Sequence, residues 1–77
     1  MDRPPAVRLP GHFAGAGNLL EWRKNPHGEW WALVEYTAIV PGYRGGIKPE
    51  QSWFPAHEVQ PVEGEDYSRV PRIRSGS

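Results

Sequence analysis

Ser52, His57 and Glu58 lie within seven residues of one another and supply, by type, the nucleophile, base and orienting carboxylate of a hydrolytic triad. Closeness along the chain does not bring a base onto a nucleophile, however, and Ser52 is not set in the Gly-x-Ser-x-Gly turn that exposes such an oxygen. His12, His27 and His57 are 15 and 30 residues apart, without the short-spaced pair from which metal sites are usually built, so no metal is expected. Gly11, Gly15 and Gly17 lack the Lys-Ser/Thr of a phosphate loop and the third glycine of a dinucleotide fingerprint, so no cofactor is expected either. These residues therefore point away from an enzyme, and no residue is assigned a catalytic role.

The chemistry that remains is that of aromatic surfaces and cations. Four tryptophans, three tyrosines and two phenylalanines make up 12% of only 77 residues. Each aromatic side chain buries ~150–250 Å², and the interior of a small β-barrel is filled by a few side chains. Some of these rings must stay on the surface, where exposed aromatic patches mark interaction sites. The candidate partner-binding residues are Trp30, Trp31, Tyr36, Tyr43, Arg44, Trp53, Pro55 and His57. A second set, Arg69, Arg72 and Arg74, forms a basic segment that would serve a nucleic-acid partner. Net charge is zero but uneven: +2 over residues 1–28, −5 over 29–66 and +3 beyond. An acidic body repels phosphate, which disfavours nucleic acid as the main partner.

The elements that must carry these residues are strands. Trp30, Ala32, Val34, Tyr36, Ala38 and Val40 share one face of a run at period two, with Trp31, Leu33, Glu35, Thr37 and Ile39 on the other. Leu20 and Trp22 alternate with Glu21 and Arg23 in a preceding strand, and Asn25-Pro26-His27-Gly28 has the turn chemistry to join the two as a hairpin. Ala6–Leu9 forms a first strand, Ser52–Phe54 a short one, Pro55–Glu58 a turn or single 3₁₀ turn, and Val59–Val62 a last short strand. Between them, the glycines and prolines of residues 41–51 predict a long loop, a place where binding is often sited. A chain this short forms a single domain, here residues 1–62, with the polar, Pro-interrupted residues 63–77 leaving as a flexible C-terminal tail. Without cysteine, stability rests on the apolar core alone. No apolar run is long enough to span a membrane, and Met1-Asp2-Arg3-Pro4-Pro5 lacks the blocks of a secretory signal, so the expected address is the cytoplasm.

The fold class is thus all-β, a small barrel of about five short antiparallel strands, since closure removes exposed sheet edges. Gly28-Glu29-Trp30-Trp31 resembles the Gly-acid-Trp-Trp that opens the third strand of SH3-like domains. Leu20 and Trp22 sit where that family places its alternating apolar pair, and Gly17 where a glycine ends its first long loop. Trp53-Phe54-Pro55-Ala56-His57-Glu58-Val59-Gln60-Pro61 is similar to the family's closing segment, with Pro55 and Val59 matching directly. The resemblance covers residues 17–62 and implies Trp30 and Pro55 as groove residues. His57 and Glu58 replace the Asn and Tyr with which the family completes a polyproline groove, so the resemblance does not carry polyproline binding with it.

The sequence thus points first to a non-catalytic protein-protein interaction module acting through exposed aromatics and the 41–51 loop. The runner-up is a nucleic-acid-associated barrel resembling KOW or Tudor-like domains, with the Arg-rich tail supplying charge. A self-associating accessory subunit is the third reading.

Overall fold

The computed structural model describes residues 3–39, 41–42 and 45–74. They form one all-β sheet: β1 (Ala6–Leu9), β2 (Gly15–Lys24), β3 (Trp30–Ile39), β4 (Ile47–Pro55), β5 (Gln60–Pro61) and β6 (Arg72–Arg74), with a 3₁₀ turn at Ala56–Glu58. The antiparallel path runs β4-β3-β2-β1-β5, and β6 pairs in parallel with β2. The last antiparallel strand therefore returns to the first, Val7 opposite Pro61 and Arg8 opposite Gln60.

The alternation expected of β3 is observed over Trp30–Ile39; Val40 lies outside the described residues. Ala32, Val34 and Ala38 are buried on the concave side, while Thr37 and Ile39 are exposed on the other. The β2–β3 hairpin turns where its chemistry expects. The Asn25 carboxamide oxygen accepts from the backbone N–H of His27 at 3.0 Å and of Glu29 at 2.9 Å, and Gly28 takes a φ of +86° that a side chain would resist.

β2 differs from its expected phase. Its core residue is Leu19, 1% exposed, and not Leu20. Leu19 and Trp22 are three apart and would alternate in a regular strand; a bulge at Leu20, between the Leu19–Val34 and Glu21–Leu33 pairs, lets both reach the concave side. At the far end of β2, Gly17 passes so close to β3 that a Cβ built there would lie 2.5 Å from Val34 Cγ1 and 2.6 Å from the Glu35 carbonyl oxygen. Only glycine allows this crossing, which carries β2 from its pairing with β1 to its pairing with β3.

The long 41–51 loop is a correction. β4 begins at Ile47 and pairs with β3 all the way from Ile39–Ile47 to Trp31–Pro55, so residues 47–51 are strand. Pro49 does not forbid this because β4 is an edge strand, where a residue with no N–H faces no partner that needs one.

Residues 63–74 are also placed differently from the expected tail. Val70, 8% exposed, joins the core of Val7, Leu9, Leu19, Ala32, Val34 and Phe54. The Tyr67 hydroxyl donates to the Ala6 carbonyl at 2.6 Å and accepts from the Val62 N–H at 2.7 Å. Trp22 N–H donates to the Pro71 carbonyl at 2.8 Å, and β6 then runs beside the half of β2 that β1 leaves uncovered. A free edge is thereby shortened, and an apolar residue reaches the core despite its polar, proline-containing surroundings.

Candidate functional site

β3 enters its hairpin with Trp30 and Trp31 in succession, and because strand side chains alternate, the two indoles leave on opposite sides of the sheet. The expected aromatic surface is therefore divided between two faces.

On the outer side, Trp31 is the register partner of Arg23 on β2 and of Pro55 on β4, and Leu33 lies between Glu21 and Trp53. Residues paired across neighbouring strands share a face, so Trp31, Trp53 and Pro55, all expected at the site, come together. Trp31 and Trp53 bound a cleft of about 370 Å³ that is completed by Arg23, Asn25 and Pro26. The Arg23 guanidinium lies 5.3 Å from the centre of the Trp53 ring and forms a 3.0 Å ion pair with Glu21, holding one wall of the cleft in place. Trp53 is 42% exposed.

On the concave side, Trp30 overlooks an open end of the sheet. A groove of about 470 Å³ there is lined by Val7, Leu19, Trp22, Trp30, Ala56, Val59, Pro61, Tyr67 and Arg72. Its walls are apolar and aromatic, and Arg72 is the one charged residue among them. Lys24, the register partner of Trp30, places its ammonium 5.9 Å from the centre of the Trp30 ring.

The other expected residues stand apart. Tyr36 lies in a ring cluster with His12, Phe13 and Phe54 and hydrogen-bonds Ser52 Oγ at 3.1 Å. His12 is fixed there by accepting, at Nδ1, the backbone N–H of Ala14 at 3.1 Å. His57 is exposed on the 3₁₀ turn, 3.7 Å from Glu58, and its neighbour in the chemistry first considered, Ser52, is engaged with Tyr36 instead. Tyr43 and Arg44 lie outside the described residues. Arg69, Arg72 and Arg74 do not share one element: Arg72 and Arg74 are on β6, in register with Trp22 and Lys24, while Arg69 precedes the buried Val70.

Comparison with family models, with curated proteins and with solved structures finds no match. Trp22 and Tyr67 were not among the expected site residues. Trp22 reads as core from its alternation, and nothing in a polar stretch marks Tyr67 as a residue that returns to the sheet. Among the described residues no helix is long and apolar enough to cross a membrane.

Proposed function

We propose that the chain is a non-catalytic protein-interaction module of SH3-like form, acting through the outer cleft between Trp31 and Trp53. The SH3-like form is supported by the strand order, by the 3₁₀ turn between β4 and β5, and by the return of β5 to β1. The binding assignment rests on one observation: two partly exposed indoles on the same face of adjacent strands bound a cleft, with a guanidinium stacked on one of them. Aromatic and arginine side chains of this kind carry most of the energy in protein interfaces, and an exposed Trp pair on a neutral chain has no electrostatic reason to prefer a polyanion. The partner is a protein segment that inserts an apolar or proline side chain between the indoles. Pro55 is in register with Trp31 and not with Trp30, so the contact is made on the outer face.

The test is selection from a displayed peptide library, with a Trp31→Ala/Trp53→Ala double variant as counter-selection. Enriched peptides should bind the unaltered chain and lose at least about tenfold in affinity on either single substitution, as central aromatic anchors do. Peptides that bind the double variant equally well would exclude the outer cleft as the interface.

A further inference from the structure

The concave groove carries a second kind of chemistry, and the charges around it are not those of the chain as a whole. Net charge is zero, yet the β2–β6 ladder sets Trp22 beside Arg72 and Lys24 beside Arg74, bringing the basic C-terminal segment against the cationic end of β2. No carboxylate lines the groove, and no ion pair to Arg72 occurs among the described residues. Glu21 pairs with Arg23, on the outer side, and Glu29 accepts from the Asn25 carboxamide in the hairpin turn. Two indoles and a phenol ring therefore bound an apolar space with a guanidinium on its wall and an ammonium above Trp30.

We infer that this groove binds single-stranded nucleic acid, one base entering among Trp22, Trp30 and Tyr67 while the flanking phosphates meet Arg72 and Lys24. The shape and the charge argue together. A volume of about 470 Å³ lies in the range of small-molecule sites and takes one nucleotide, not a duplex. Flat aromatic walls stack on any base, and cations such as the Arg72 guanidinium on the wall and the ammonium beside Trp30 track the backbone, which is how sequence-tolerant single-strand sites are built. An acidic peptide would engage Arg72 but leave the aromatic walls without a flat partner. The zero net charge means that nothing draws a polyanion from a distance, so binding is short-ranged and falls about 25-fold for a tenfold rise in salt. The inference concerns a different face from the outer cleft and stands or falls independently of it.

Fluorescence anisotropy with the full chain tests it at about 20 mM salt, where phosphate contacts are strongest. Three labelled probes are compared: a short oligothymidylate, an abasic oligomer of the same length, and an oligoaspartate. The oligothymidylate should bind, the abasic strand about tenfold more weakly, and the oligoaspartate more weakly still. With two phosphates engaged, the logarithm of the affinity should fall against the logarithm of salt with a slope of about −1.4. Arg72→Gln, a change on an exposed strand position, should reduce that slope by about 0.7, and Trp30→Ala should cost about tenfold in affinity. Ile39→Ala, at an exposed position outside both sites, should leave binding unchanged. Trp30→Phe, which keeps an aromatic face, should bind within a few-fold of the unaltered chain. Absence of binding at low salt, equal binding of the abasic strand, or oligoaspartate binding as tight as oligothymidylate would each overturn the inference.

Discussion

The two aromatic sites share one end of the sheet and use consecutive residues, Trp30 and Trp31, yet they are built differently. The outer cleft is made by β2, β3, β4 and the hairpin turn alone: Arg23, Asn25, Pro26, Trp31 and Trp53. The concave groove draws on both ends of the chain, from Val7 on β1 to Tyr67 and Arg72 in the C-terminal segment. A short-range hairpin therefore suffices for one surface, whereas the other exists only if residues 63–74 stay docked. The difference also separates the chemistry. The outer cleft has its guanidinium neutralised by Glu21, while the groove keeps a guanidinium with no ion pair among the described residues.

The most severe way to break both sites at once is Gly17→Ala. The new methyl group would meet a backbone carbonyl that cannot move aside, and overpacking of this kind costs about 2–3 kcal/mol. Chemical denaturation should show that loss, with both sites failing together.

Tyr67→Phe separates the sites. It removes the hydroxyl that links Ala6 to Val62 and leaves a part-buried N–H and carbonyl without that partner, at about 1–3 kcal/mol. Amide exchange should quicken in β6 and around Pro71, and the oligothymidylate should bind more weakly, while the Trp31–Trp53 cleft keeps its peptide affinity. Equal weakening of both ligands would mean that the sites are not independent.

A smaller stability effect is expected of Trp31→Ala, since cross-strand surface pairs contribute about 0.2–1 kcal/mol each. Thermal unfolding should barely move although peptide binding is lost. That combination distinguishes a binding residue from a supporting one.

The smallest effect concerns pH. The Ser68 side-chain hydroxyl, with the Ser68 backbone N–H at 2.9 Å, holds the Asp66 carboxyl below its ordinary value of 3.8. Because the folded value is depressed, the stabilisation is present above the unfolded value and is lost as pH falls through the folded one. Acidification should therefore shift the Ser68 amide resonance only once the pH falls below the ordinary value of 3.8, when the Asp66 carboxyl takes its proton.

Much of the outer cleft was legible in the sequence. Alternation along Trp30–Val40 and the Asn25–Gly28 turn determine which residues share a face, and Trp31, Trp53 and Pro55 follow once β3 and β4 pair. The groove was not legible, for physical reasons that can be named. A bulge at Leu20 shifts the phase of β2, so simple alternation picks the wrong leucine for the core. Pro49 reads as a strand breaker, because the sequence does not reveal that β4 lies at an edge. The docking of residues 63–74 depends on Tyr67 and Val70, two isolated side chains in a polar stretch whose value comes from partners about sixty residues away. Composition could say that the rings exceed what a core holds. It could not say that the surplus divides between two faces.

That division is open to one direct measurement, the indole N–H resonances of all four tryptophans followed in two titrations. The account predicts that oligothymidylate moves the Trp22 and Trp30 signals alone, and that a selected peptide moves Trp31 and Trp53 alone. A single ligand that shifts Trp30 and Trp31 to the same extent would contradict it.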